Sequence, residues 1–441
     1  MRDIENQQIL IFNKIKKIYK NFTKEKFHPN YDTPIYFNSS HNYSFGLIQM
    51  KKFMGKDENF FSKLFILLKD FSYSMFINNS KFENIKLDEN FNKIIVTWAF
   101  KKNFKSDGSL NDRYFNYNSK SSKDIFWFVI YMDNDLPKKV GNNILIYRIF
   151  NQKKFNFLAL IEILKKNINY FFKNIDYFLF SISNLNFISR NIVNCFENLL
   201  SKNIKTILIP YEGQPFQNGI IKCAKEKYGI NTIGYIHAPP LAFPSNYVKK
   251  KFSPNKIFVN GLDQKAVFSR IGWNKKDIKI CNSLRFLKQK TNFKYKIFLP
   301  ITIKSENSIL RGIYHLTDFL KYDLSKYDVK IHPAALKSKK CINLKKKILI
   351  RIKNSKNNKK QNPNYPIFVG ASGSIIEALE RGYRVLHICE IPIIDCYSKK
   401  IWNSLTSEKI ATNIFLYKIK KQGNIIKLGN KPKNLNVFFK K

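Results

Sequence analysis

From Lys93 onward the chain repeats one pattern: short apolar runs rich in β-branched and aromatic residues, separated by helical stretches. The first set is Ile94–Trp98, Ile125–Met132, Ile144–Ile149, Tyr177–Ile182, Thr206–Gly213 and Thr232–His237. A strand that is apolar at every position has to be covered on both faces, the condition of a parallel sheet held between two layers of helices. His237–Asn246 (HAPPLAFPSN) then concentrates prolines, which break helices and central strands alike, and reads as a linker. Beyond it the pattern restarts with Lys256–Gly261, Ile278–Ser283, Lys296–Ile301, Asp328–Pro333, Ile367–Ser372 and Arg384–Cys389, with a polar loop at Lys353–Asn364. The expected fold class is α/β, with two Rossmann-like doubly wound domains at 93–240 and 250–400 facing a cleft. A mainly helical extension (1–92) precedes them and a tail (401–441) follows. A chain of 441 residues has room for two such cores.

Composition narrows the function classes. Lys+Arg 78 against Asp+Glu 31 gives a net charge of +47, yet 44% of residues are hydrophobic and 15% aromatic, which excludes a disordered chain. The charge invites an anionic partner, nucleic acid or membrane. Lysines are spread through tail, linkers and interstrand segments, and no nucleic-acid motif accompanies them, so no nucleic acid is expected. A basic nucleic-acid-binding protein stands as the alternative from another class. Enrichment in Asn, Ile, Phe and Tyr, whose codons are rich in A and T, assigns part of the charge to genome composition. Six scattered cysteines without a C-x-x-C or a histidine at zinc spacing read as reduced thiols of a cytoplasmic protein, with no metal site. The N-terminus carries acids early and lacks an apolar core, so no signal peptide is expected, and no run approaches the ~18–20 apolar residues of a membrane span. Any membrane contact is expected to be peripheral, at the inner face.

Four places carry candidate chemistry. Phe368–Gly382 (FVGASGSIIEALERG) reads as a buried strand, a small-residue turn with Ser372, Gly373 and Ser374, and a helix. Free N–H groups and the positive dipole end suit a phosphate there, or else a serine simply caps the helix. Glu377, one turn on, either reaches a ribose or sits at the surface. Lys330–Pro333 ends a strand and leaves His332 at its carboxyl edge, where open α/β sheets place ligand contacts. After the first strand, a long loop carries Asp107, Gly108, Asp112 and Arg113, and Asp107 is a candidate general base or a turn residue. Glu212, in Pro210–Gln217 (PYEGQPFQ), is the second carboxylate; Gln214 flanks it and the next strand ends in His237. An ion pair with Arg113 or a lysine is its alternative use.

With these residues in view, the sequence resembles GT-B glycosyltransferases of bacterial surface-polysaccharide synthesis. An acid-Gly motif in the first domain, a His-Pro motif and a serine-rich turn in the second are similar to bacterial sialyltransferase-like enzymes using CMP-sugars. The segments around YEGQPFQ and GINTIGYIHAPP also resemble a group of surface-carbohydrate biosynthesis proteins. The resemblance covers about 93–396. It implies a nucleotide-sugar substrate with no cofactor, and an oligosaccharide or lipid-linked acceptor. His332 becomes the contact to the nucleotide phosphate and leaving-group acid, Ser372 and Ser374 bind the same phosphate, and Asp107 or Glu212 is the base. The acid-acid-Gly triplet is incomplete at both places, so the base stays open between them. A CDP-alcohol-dependent glycerol or ribitol phosphotransferase of the same fold is the alternative activity. On this reading the lysines attract an anionic leaflet, at about 1 kcal/mol per basic residue near the surface.

Overall fold

A computed structural model describes residues 2–22, 91–148 and 184–440 except 123, 134, 290 and 356–362, together with scattered positions at 55–65 and 161–172. The expected strand at Tyr177–Ile182 lies outside the described residues, as does most of the expected extension.

Seven strands form the first sheet: β1 (Lys93–Ala99), β2 (Ile125–Tyr131), β3 (Ile144–Arg148), β4 (Thr206–Pro210), β5 (Asn231–Tyr235), β6 (Lys256–Val259) and β7 (Ile278–Ile280). All pair in parallel, in the order β3-β2-β1-β4-β5-β6-β7. Burial explains the unbroken apolar runs. Ile94, Val96, Phe126 and Phe128 enter one core, and Ile95, Trp127 and Val129 enter the core on the opposite face. The strand order reverses between β1 and β4, and ligands of open α/β sheets bind outside the carboxyl ends at such a reversal.

The second sheet runs β9-β8-β10-β11-β13-β12, from β8 (Lys296–Phe298), β9 (Asp328–Lys330), β10 (Ile367–Val369), β11 (Val385–Ile388), β12 (Leu405–Ala411) and β13 (Ile414–Ile419). Its first four strands are parallel, and β12 and β13 add antiparallel. Here the reversal falls between β8 and β10. The chain is thus α/β with two Rossmann-like sheets in tandem, as expected.

The expected boundaries need correction in two places. The runs at 256–261 and 278–283 were expected to open the second domain, but they are β6 and β7 of the first sheet, with Ile233 opposite Lys256 and Ile257 opposite Ile278. The proline-rich segment therefore connects two neighbouring strands of one sheet and is no interdomain linker. Proline bars strand and helix but does not say whether the chain changes domain. The tail is likewise no appendage. Residues 405–419 complete the second sheet, and 423–429 return to the first domain, where the Asp263 N–H donates to the Asn424 carbonyl (2.9 Å) and the Lys427 N–H to that of Asn260 (2.7 Å). Phe438 then packs on Phe115, Tyr235 and Phe258. Of the N-terminal extension, α1 (Arg2–Phe22) is a helix that docks on the second domain: Gln8 Nε2 donates to the carbonyls of Ile393 (3.0 Å) and Cys396 (2.8 Å). Among the described residues no helix is long and apolar enough to cross a membrane. The six cysteines are free thiols, five of them buried.

Candidate active site

The turn leaving β4 is built before its functional side chain is placed. Gln217 is fully buried; its Oε1 accepts the backbone N–H groups of Glu212 (2.9 Å) and Gln214 (3.1 Å), and its Nε2 donates to the Pro210 carbonyl (2.9 Å). Gly213 has φ 71°, and a Cβ there would lie 2.1 Å from the Asn246 carbonyl oxygen, so only glycine fits. Asn246 Nδ2 in turn donates to the Glu212 carbonyl (2.8 Å). Pro215 then enters the helix α2 (Pro215–Tyr228) at a position where its missing N–H costs nothing.

The Glu212 carboxylate so positioned accepts from Gln214 Nε2 at 2.7 Å and lies 3.1 Å from His237 Nε2. The two partners differ in access: the Glu212 side chain is 31% exposed and that of His237 is 1% exposed. Glu212 therefore faces the solvent and His237 supports it from behind, with the Tyr114 ring against the imidazole at 4.5 Å. Burial and the charges of Arg285 and Arg113 push the His237 pKa down against the pull of Glu212. Burial pushes Glu212 up, but the His237 contact, Gln214 and the Arg285 charge outweigh it and hold the carboxyl below its ordinary value. The arrangement is an ionised carboxylate 3.1 Å from the Nε2 of a neutral imidazole, close enough for charge contact but without hydrogen-bond geometry.

The two aspartates of the loop after β1 sit in opposite environments. Asp107 is solvent-exposed and committed to its own turn. Its Oδ1 accepts from Ser109 N–H (3.0 Å) and Oγ (2.7 Å), and these bonds with Lys120 hold it down at about 2. The structure thus gives Asp107 the turn role and brings it into no contact with Glu212 or His237. Asp112 is buried, accepts the N–H groups of Tyr114 (2.8 Å) and Phe115 (2.7 Å) and the Thr97 hydroxyl, and burial raises it to about 6. It positions Arg113 and Tyr114. Arg113 donates to the Tyr114 hydroxyl (2.6 Å) and lies over the Phe100 ring. Phe100, Lys101, Lys102 and Asp133 line an open cavity of about 450 Å³ at the carboxyl ends of β1 and β2. Asp133 and Asp135, which the sequence reading passed over, both engage Lys101.

In the second domain His332 follows β9 and caps the short turn Pro333–Ala335, its Nδ1 accepting the Ala334 N–H (3.1 Å). That bond places the imidazole proton on Nε2, which has no other hydrogen bond among the described residues. Burial and the Arg285 charge lower its pKa, so a neutral donor is presented. The turn after β10 lies at the reversal of the second sheet. The capping alternative for its serines fails: Gly373 is the N-cap of the helix Ser374–Glu380, and no side chain caps it. The hydroxyls of Ser372 and Ser374 make no hydrogen bond among the described residues. A Cβ on Gly373 would lie 3.1 Å from the Pro239 carbonyl oxygen, and Tyr397 donates to the carbonyls of Pro240 (2.9 Å) and Ser372 (3.3 Å). The segment directly after His237 therefore packs on the serine turn, and the carboxyl edges of the two sheets meet there. Glu377, expected to reach a ribose or the surface, is instead held by Arg381 at 3.0 Å, whose guanidinium also binds the Leu287 and Gln289 carbonyls.

Two site residues left no signal in the sequence. Arg285 follows β7 in an unremarkable stretch, NSLRF, and only the folded chain brings it beside Tyr114. Lys250 is fully buried beneath the Glu212 turn, with Nζ 3.5 Å from the Gly213 carbonyl, and burial drives it down to about 7. In the unfolded chain this lysine keeps its proton to about pH 10.4, so between pH 7 and 10 the unfolded state binds more protons and raising the pH stabilises the fold. Lys250→Met should flatten that rise, by at most about 1.4 kcal/mol per pH unit, in chemical denaturation at pH 7 to 9.5. Equal slopes in the two proteins would contradict the burial.

No family model and no curated protein matches the chain in sequence. Among solved structures it is similar to UDP-GlcNAc 2-epimerase from Neisseria meningitidis bound to UDP-GlcNAc, at 12% identity over 68% of this chain and 83% of that one, with a TM-score of 0.36. It is also similar to the lipopolysaccharide outer core galactosyltransferase WaaB in its apo form, at 10% identity over 69% and 83%, with a TM-score of 0.30. Likenesses this shallow leave the chemistry to be read from the residues of the chain itself.

Proposed function

We propose that the protein is a glycosyltransferase that moves a sugar from a nucleotide-activated donor to an oligosaccharide or lipid-linked acceptor. One observation carries the reading: the Glu212–His237 pair at the reversal of the first sheet and the Ser372–Ser374 turn at the reversal of the second are joined at one seam by Pro239 and Pro240. An ionised, partly exposed carboxylate suits removal of a hydroxyl proton. Unused hydroxyls with the His332 Nε2–H suit a departing phosphate.

In the reaction Glu212 takes the acceptor proton as the hydroxyl oxygen bonds to the anomeric carbon. The carbon–oxygen bond to phosphate breaks, and its electron pair leaves with the nucleotide. His237 and Gln214 orient the base and touch no substrate. The direct displacement predicts inversion at the anomeric carbon. CMP-sugars are the first donors to test, on the strength of the sequence resemblance, and the basic surface would hold the enzyme beside an anionic leaflet.

The test is a thermal-shift screen with CMP, CDP, UDP and GDP, followed by transfer and hydrolysis assays with the sugars of any nucleotide that binds. At least one nucleotide should raise the melting temperature and its sugar should be consumed. A flat response to all four, with no hydrolysis of any nucleotide-sugar, would sink the proposal.

A further inference from the structure

Between β7 and β8 the backbone of residues 283–286 is pinned from several sides. The Leu284 N–H donates to the Tyr235 hydroxyl (2.8 Å), the Phe286 N–H to Ser283 Oγ (3.0 Å), the Ser283 N–H to the Lys427 carbonyl (2.8 Å), and the Gly429 N–H to the Phe286 carbonyl (2.9 Å). Leu284 is buried in the first core, so the side chain that follows it has to point outward. That side chain is Arg285, exposed, with its guanidinium 5.8 Å from the Tyr114 ring centre and 5.4 Å from that of Phe286. Arg381 has Glu377 and Arg351 has Asp318, but Arg285 has no hydrogen bond and no ion pair among the described residues.

A second cation crowds the same ring. Arg113 lies 4.8 Å from the centre of Tyr114, so two guanidinium groups converge on one aromatic side chain. Like charges gathered without an anion between them repel. The nearby carboxylates are already engaged, Glu212 by Gln214 and His237, and Asp112 by two backbone N–H groups and Thr97. His237, almost wholly buried, has two ring nitrogens with no hydrogen-bond partner among the described residues. From the second domain, His332 Nε2–H is unoccupied as well. The charge of Arg285 depresses the pKa of both histidines, one from each domain.

We propose that Arg285 is a phosphate-binding residue: its guanidinium, carried by the first domain, takes the phosphate oxygens of the donor opposite His332 of the second. A planar guanidinium matches two phosphate oxygens at once, and a fixed backbone with two flanking rings limits the entropy lost on binding. This deepens the glycosyltransferase reading and rests on it for the identity of the donor. It makes Arg285 the residue that neutralises charge on the leaving phosphate as the glycosidic carbon–oxygen bond breaks.

The experiment is calorimetric titration of wild type, Arg285→Ala and Arg285→Lys with the nucleotide found by screening, with its nucleoside and with inorganic pyrophosphate. Arg285→Ala should weaken nucleotide and pyrophosphate roughly ten- to hundredfold and leave the nucleoside unchanged, with Arg285→Lys between. The residue is exposed, so all three proteins should melt together. Nucleotide and pyrophosphate binding to Arg285→Ala as to wild type overturns the assignment while the enzyme reading stands. Pyrophosphate lost in Arg285→Ala from a protein that binds no nucleotide keeps the phosphate site and removes the glycosyltransferase. A wild type that binds neither overturns both.

Discussion

Glu212→Gln should lower the transfer rate by about 10²- to 10⁴-fold, the usual contribution of a positioned base, while changing nucleotide affinity by less than about threefold. The amide keeps the shape of the side chain and its bond to Gln214, but it has no electron pair basic enough to take the acceptor proton. His237 cannot replace it, since its imidazole lies behind Glu212 and is 1% exposed. Asp107→Asn is the matched control and should stay within about twofold of wild type, because that carboxylate serves Ser109 and Lys120. The pH profile gives an independent reading. Since Glu212 is held below the ordinary glutamate value, it stays ionised to lower pH, and the acid limb of kcat/KM should fall below 4.5. A Glu212→Gln enzyme with wild-type turnover, or an Asp107→Asn enzyme without any, would move the base elsewhere.

Glu380→Ala should be strongly destabilising while leaving the site untouched. The side chain is 3% exposed, its Oε1 accepts the N–H groups of Ile425 (2.9 Å) and Ile426 (2.8 Å), and its Oε2 accepts that of Gly423. Those residues belong to the strand of chain that returns from the second domain to the first. A Cβ on Gly261 would lie 2.2 Å from the Asn424 carbonyl oxygen, so the returning chain has no slack. Removing the acceptor leaves the buried N–H groups of Ile425 and Ile426 and the partly buried N–H of Gly423 without a partner, at a cost on the order of 3–5 kcal/mol. That corresponds to a loss of roughly 10 °C in Tm by circular dichroism. Glu380→Gln retains an oxygen acceptor and should lose clearly less. A Glu380→Ala protein melting with wild type would show that the returning chain is held by its apolar residues alone.

Much of this was legible in the chain. The apolar runs named every described parallel strand of the two sheets, because a strand covered on two faces has no polar position to break the run, but not the antiparallel β12 and β13 at the edge of the second sheet. The carboxyl-edge positions of Glu212, His332 and Ser372 followed from the same punctuation, each at the point where an apolar run meets glycine, proline or serine. Local chemistry left two uses open for Asp107, a general base or a turn residue. An Asp-Gly pair is equally a turn and a motif, and only the burial of Asp112 and the exposure of Asp107 separate them.

What sequence determined by itself is the class of fold and the edge on which chemistry has to lie, since both depend on residues close together along the chain. Tertiary structure decided the rest. Sheet membership of 256–280 is settled by pairing with β5, which no local pattern encodes. The convergence of Arg285, Tyr114 and Arg113 joins residues more than 170 positions apart, and the seam between Pro239 and Gly373 joins two domains. Such contacts are fixed by the packing of whole sheets, and that packing leaves no trace in the few residues on either side of the arginine it brings to the site.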